Sequence, residues 1–102
     1  MSSGEEIDIR NLWEEYRNKK PFRQGYFIGE ESGKYYVAKN EEEVYELSPL
    51  VYYIWLISDG EHTLEQLADQ MCKDINVELD QVVEPLVLAI NSLNKVELVK
   101  FV

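Results

Sequence analysis

The spacing of hydrophobic and polar residues changes several times along the chain, and each change marks a boundary between predicted elements. Near the start, apolar residues recur every three or four positions, as on one face of a helix; they are Ile9, Leu12, Trp13 and Tyr16. This spacing predicts a short helix over 8–18 that ends before Pro21, because the residue before a proline avoids helical geometry. Residues 1–21 are therefore predicted to be an N-terminal extension, partly disordered over its small and acidic first residues.

The following third of the chain alternates between apolar and polar residues, which is the spacing of strands. Three strands are predicted, over 22–29, 34–39 and 43–47. A loop at 29–33 with a glycine at each end joins the first two strands as a hairpin, and the sequence NEEE turns the chain into the third. These segments predict a three-stranded antiparallel meander, one face of which needs a cover.

A helix is predicted directly after the third strand. Ser48 suits the N-cap position and Pro49 the first helical position. The residues over 50–58 are apolar on nearly all sides, so this helix is expected to be largely buried. Gly60 can adopt the left-handed conformation that ends a helix.

Two further helices are predicted, over 63–74 and 81–94. Thr63 and Gln66 have the spacing of a capping box, in which each side chain bonds to the backbone of the other residue. Asp80 is the predicted cap of the last helix. The fold class that follows is α+β, with a β-meander followed by three helices.

The composition limits the classes of partner. The chain has 102 residues, with 20 acidic and 10 basic side chains and a net charge of −10. Binding to nucleic acids or to anionic membranes requires clustered Lys and Arg side chains on the protein, so neither is expected as a partner. The single cysteine, Cys72, cannot form a disulfide within the chain, which favours a cytoplasmic location. We also expect no secretory signal and no membrane span.

The sequence shows no pattern of residues that is typical of a catalytic site. His62 is the only histidine and lies in a predicted turn, while Cys72 lies on the apolar face of a predicted helix. The carboxylates are scattered without a paired spacing, and no glycine-rich phosphate loop is present. No catalytic residue, metal site or cofactor is therefore predicted.

Two segments carry a resemblance to a known family. The segments are "YELSPLVYYIWLISDGEHTLEQLADQM" (45–71) and "LDQVVEPLVLAINSLNKVELV" (79–99). They resemble the PqqD-like family, the RiPP recognition elements of peptide-modification pathways. The sequence departs from the family pattern at "NKVEL", where the family usually has a glycine.

The resemblance implies a winged-helix-like domain over 22–102 that catalyses nothing. Family members bind the leader segment of a precursor peptide as an added strand beside their third strand, against a wall formed by the last helix. They deliver the peptide to a modifying enzyme, often a radical-SAM maturase. The chain is accordingly expected to act in the biosynthesis of a modified peptide.

Two groups of residues are the candidate peptide-binding site. The strand over 43–47 is the expected template, through Glu43, Val44, Tyr45, Glu46 and Leu47. The apolar stripe of helix 81–94 spans roughly 160°, more than the roughly 100° that a core-facing stripe needs. Its surplus edge is Val83, Val87 and Ile90. The alternative, that this wide face is simply buried, stays open.

Two other functions remain as alternatives. A winged-helix DNA-binding regulator would insert helix 81–94 into the major groove, but that helix has no Lys or Arg. A structural or assembly protein would use the same apolar surface to form a homodimer. The acidic run Glu41 to Glu43 either forms a solvated turn or attracts basic residues of a peptide.

Overall fold

The computed structural model describes residues 8–102, which form a mixed α+β structure, as predicted. Its elements in chain order are α1 (Ile9–Tyr16), β1 (Pro21–Arg23), β2 (Tyr26–Glu31), β3 (Lys34–Ala38), β4 (Val44–Leu47), α2 (Pro49–Ile57), α3 (Leu64–Ile75), α4 (Leu79–Lys95) and β5 (Val99–Phe101). The disorder predicted for the first residues lies outside the described residues.

The predicted meander is confirmed as a three-stranded antiparallel sheet in the order β2, β3, β4. Ser32 and Gly33 form the turn between β2 and β3, with φ of 53° and 80°. Two consecutive residues with positive φ give a turn whose twist matches that of the strands it joins. The hairpin is therefore tighter than the loop predicted over 29–33.

The prediction of one continuous strand over 22–29 is wrong. The chain breaks at Gln24 and Gly25, so that β1 pairs with β5 in a separate two-stranded antiparallel sheet. Gly25 has a φ of 85°, and a Cβ there would lie 2.4 Å from the carbonyl oxygen of Ala38. Only glycine fits this close approach, and before the break β1 pairs with the C-terminal strand β5 rather than with the meander.

The indole of Trp55 forms hydrogen bonds to the backbone at the break between the two sheets. Its Nε1 donates hydrogen bonds to the carbonyl oxygens of Leu98, at 3.0 Å, and Gln24, at 3.1 Å. The backbone N–H of Gln24 also donates to the Leu98 oxygen, at 2.8 Å. Trp55 is 3% exposed, so this network satisfies a buried donor that would otherwise be costly.

Helix α2 begins as predicted, with Ser48 accepting a hydrogen bond from the Val51 N–H and Pro49 in the first turn. The prediction that it is largely buried is wrong. Leu50 and Leu56 are 42% and 44% exposed, and two of the nine residues are buried. The helix packs on the sheet and on α4, so its remaining sides face solvent.

Stacked aromatic rings join α2 to the inner face of the sheet. The ring of Tyr52 lies 4.3 Å from that of Tyr35 and nearly parallel to it, and 5.2 Å from that of Phe27. On the same face of β4, Leu47 is buried and Tyr45 packs against the core. The inner face of the meander is therefore covered by α2.

The capping box that begins α3 is confirmed. Thr63 Oγ1 accepts from the Gln66 N–H at 3.2 Å, and Gln66 Oε1 accepts from the Thr63 N–H at 2.8 Å. The predicted cap of α4 at Asp80 is wrong, because the N-cap is Glu78, whose N–H donates to Gln81 Oε1. Asp80 lies within the first turn of α4 instead.

Helix α1 packs on the same core as the rest of the chain. Asp8 caps it by accepting a hydrogen bond from the Asn11 N–H. Tyr16 is 7% exposed, and its hydroxyl donates to Asn91 Oδ1 on α4 at 3.0 Å. The ring of Tyr16 also lies 5.0 Å from that of Phe101 in β5. Among residues 8–102, no helix is long and apolar enough to cross a membrane.

Glu97 occupies the turn in which the sequence NKVEL has no glycine. Its φ is 66°, in the left-handed region that side chains disfavour. Its carboxylate forms an ion pair with Lys39, and the hydrogen bond from Lys39 lowers the pKa of Glu97. The turn therefore combines an unfavourable backbone conformation with a favourable surface ion pair.

We expect Glu97→Gly to be more stable than Glu97→Ala. Both variants lose the ion pair with Lys39, but only glycine relieves the left-handed backbone. The difference in the free energy of unfolding should be about 1 kcal/mol, measured by urea denaturation. Equal stabilities of the two variants would contradict the positive φ assigned to this residue.

Candidate functional site

Strand β4 has one neighbour among the described strands. It pairs with β3, with Val37 opposite Tyr45 and Tyr35 opposite Leu47. No other strand within residues 8–102 pairs with it, so its second edge is open. An open edge presents unpaired backbone donors and acceptors to another chain.

The hydrogen-bonding alternation identifies the groups at this open edge. Lys39 N donates to the Glu43 carbonyl oxygen at 2.9 Å, which makes these two residues a hydrogen-bonded pair. In an antiparallel ladder every second pair is bonded, so the backbone groups of Tyr45 and Leu47 point towards β3. The N–H and C=O groups of Val44 and Glu46 therefore point away from β3, along the open edge.

An apolar groove runs beside this edge. It has a volume of about 260 Å³ and lies between β4, the first turn of α2 and the end of α4. The residues that line it are Tyr45, Glu46, Leu47, Ser48, Val51, Ser92, Leu93 and Val96. The open edge of a strand and a largely apolar wall thus adjoin each other.

The structure places the predicted helical site residues elsewhere. Val87 and Ile90 are fully buried in the core, and Val83 is partly buried against it. None of the three lines the groove, whose helical wall is Leu93 and Val96 with Ser92. The alternative that the wide apolar stripe is buried fits Val87 and Ile90, because α4 packs against α1, α2, α3 and β5.

Five groove residues were not among the predicted site residues, namely Ser48, Val51, Ser92, Leu93 and Val96. One signal in the sequence indicates part of this set. Because Ser48 joins β4 directly to α2, the first turn of α2 must lie beside the end of the strand. Which residues at the end of α4 line the groove depends on how the helices pack, so no local sequence pattern indicates them.

An acidic turn precedes β4. Asn40 Oδ1 accepts hydrogen bonds from the backbone N–H groups of Glu42 and Glu43, at 2.8 and 2.9 Å. Asn40 Nδ2 donates to the Glu43 carboxylate, which also lies 3.6 Å from Lys39 Nζ. Glu41 and Glu42 are exposed. Asn40 therefore fixes the turn, while the acidic side chains remain in solvent.

A larger depression of about 510 Å³ lies between the two sheets and the end of α4. Its lining residues are Gln24, Gly25, Lys39, Asn94, Glu97, Val99 and Lys100. Several of its polar groups already have partners: Lys39 pairs with Glu97, and Asn94 Nδ2 donates to the Val99 oxygen. Five of its seven lining residues are polar or charged, so the groove beside β4 is the stronger candidate for an apolar ligand.

The two side chains with catalytic potential are His62, which lies in an exposed turn, and Cys72, which lies against the core. His62 Nδ1 lies 2.7 Å from Asp59 Oδ2 in an exposed turn. Partial burial raises the pKa of Asp59, but hydrogen bonds from Glu61 and His62 outweigh it and leave the pKa below its usual value. Cys72 is partly buried against the core. Within residues 8–102, no three His, Cys, Asp or Glu side chains are grouped so that they could hold a metal ion.

Comparison with protein families, curated proteins and solved structures found no match for this chain. The geometry of the molecule itself is therefore the basis for assigning a function. Its two relevant features are the open edge of β4 and the apolar groove beside it.

Removing the side chain of Asn40 should loosen the turn before β4. Asn40→Ala loses two hydrogen bonds to backbone N–H groups, so we expect a loss of about 1–2 kcal/mol in the free energy of unfolding. Glu41→Ala, in the same turn, is the control and should change stability little. Urea denaturation measures both, and equal effects would show that Asn40 does not fix the turn.

Proposed function

We propose that the protein is a non-catalytic adaptor that binds an extended peptide as an added strand beside β4. The observation that carries this proposal is the row of unpaired backbone groups at Val44 and Glu46, next to the apolar groove. Backbone hydrogen bonds would supply affinity with little dependence on sequence. Side chains entering the groove would supply selectivity.

The sheet has two outer edges, and β4 is the better template. Strand β2 forms the other edge, but its register with β3 shifts between Phe27 and Gly29. A bulge of this kind interrupts an edge and hinders further pairing. The register of β4 is regular over its four residues, and the groove lies beside it.

The resemblance to the PqqD-like family supports the same site and extends the proposal. By analogy, the ligand is the leader segment of a precursor peptide, and the partner is a modifying enzyme such as a radical-SAM maturase. The winged-helix-like arrangement, the cytoplasmic location and action without a cofactor belong to this proposal. The strand contacts remain Glu43 to Leu47, while the helical contacts move from Val83, Val87 and Ile90 to Leu93 and Val96.

A proline at position 46 tests the added strand. The N–H of Glu46 points to the open edge, so Glu46→Pro removes a donor for the peptide without removing a hydrogen bond to β3. Peptides are first selected from a random eight-residue library on the wild-type protein. We expect Glu46→Pro to weaken the selected peptides at least about tenfold, measured by fluorescence anisotropy.

Glu46→Ala is the matched control, because it loses the side chain but keeps the backbone N–H. It should stay much closer to wild type than the proline variant does, with circular dichroism showing that all three proteins are folded. Selection of no peptide, or equal binding by the proline and alanine variants, would refute the proposal. A dimer that Glu46→Pro dissociates would assign the edge to self-association instead.

The rate at which a modifying enzyme acts on its precursor gives a second test of the adaptor role with the same variants. If a neighbouring gene encodes a short precursor and another encodes a modifying enzyme, the enzyme should modify that precursor faster when the wild-type protein is added. Glu46→Pro should give a smaller acceleration than Glu46→Ala. An identical rate with and without the wild-type protein would leave peptide binding without an adaptor function.

A further inference from the structure

The side chains of β4 alternate between two environments. Tyr45 packs against the core and Leu47 is buried, and both line the groove. The side chains of Val44 and Glu46 point to the opposite face of the sheet and are exposed, although Glu46 also borders the groove at the edge of the strand. Side chains of a strand paired with β4 would share these two faces, because paired residues point to the same side of a sheet.

The outer face of β4 is acidic. The Glu46 side chain is 53% exposed, and the Nζ of its ion-pair partner Lys34, itself exposed, lies 3.9 Å from the carboxylate. Such a pair is weak and screened by solvent. Glu46 therefore remains able to interact with a positive charge on an added strand.

Acidic side chains also surround the start of β4. Glu43 shares Lys39 with Glu97, so one cation serves two carboxylates there. Within the described part of the chain, neither Glu41 nor Glu42 takes part in an ion pair. The approach to the open edge therefore has an excess of negative charge, in keeping with the net charge of −10.

We propose, on the basis of the function proposed above, that the preferred ligand is a basic amphipathic strand. Apolar side chains such as Leu, Ile or Val alternate in it with Lys or Arg. The apolar residues enter the groove beside Tyr45 and Leu47, and one basic residue lies across from Glu46. A further basic residue at the end of the segment lies near Glu41 to Glu43.

The same charges make a second copy of this chain a poor occupant. Pairing β4 with β4 of another molecule would bring two copies of Glu46 and of the acidic turn along one seam. Like charges across a strand pair are destabilising. Each molecule also has a net charge of −10, which opposes association at low ionic strength. A basic peptide meets neither obstacle.

The test uses capped seven-residue peptides in which Leu alternates with Lys, Ser or Glu. Each lysine opposite a carboxylate should tighten binding about two- to fivefold. The order of affinity for the wild-type protein should therefore be Lys, then Ser, then Glu. High salt should reduce the differences, because these charges are exposed. A fourth peptide with the same Leu and Lys residues in two blocks tests the alternation and should bind more weakly.

Glu46→Gln is the variant that isolates the charge. It should lower the ratio of affinities for the Lys and Ser peptides about two- to fivefold relative to the ratio for the wild-type protein. Equal affinity for the Lys, Ser and Glu peptides, an unchanged ratio in Glu46→Gln, or equal binding of the block peptide would overturn this inference.

The inference and the proposed function can fail separately. If library peptides bind and Glu46→Pro weakens them, but the alternating Lys peptide shows no advantage, the added strand stands and its charge preference is wrong. Failure of the Lys peptide to bind at all also overturns the charge preference. The library selection with Glu46→Pro and Glu46→Ala then decides the proposed function alone.

Discussion

The carbonyl oxygen of Leu98 accepts hydrogen bonds from Trp55 Nε1 and from Gln24 N, and these bonds determine where the last strand lies. Trp55 is almost fully buried, so losing both of its carbonyl acceptors, Leu98 and Gln24, would leave the Nε1 donor unsatisfied at a cost of roughly 1–3 kcal/mol. The network directs the C-terminal segment to β1, and β5 forms there. The last strand therefore pairs with β1, and the second edge of β4 stays open.

An open strand edge creates a risk of aggregation, and proteins commonly protect such edges with charge. Here Glu46 and the acidic turn held by Asn40 lie at the edge, while the apolar groove lies on the inner side of the same strand. The charges oppose pairing with another acidic copy and are compatible with a basic segment. In the proposed function, the side chains that protect the edge are also those that select the ligand.

Local side-chain chemistry made part of the fold predictable. Ser48 and Thr63 cap helices through bonds within three residues, so short sequence patterns were sufficient to place them. The break at Gly25 depends on a contact with Ala38, thirteen residues away, and no local pattern encodes it. An apolar groove lies beside the strand named as the template, but its residues from the last helix are Ser92, Leu93 and Val96 rather than Val83, Val87 and Ile90. Whether Val87 or Val96 faces a groove depends on which sides of α4 the other elements cover.

Hydrogen exchange of the backbone amides of β4 tests the open edge most directly. If the edge is open, exchange is slow at Tyr45 and Leu47, whose N–H groups point to β3, and fast at Val44 and Glu46. NMR of the uniformly ¹⁵N-labelled protein at low concentration resolves the four amides. Equal protection of all four would show that the edge is already covered, and an added strand would then have no place to bind.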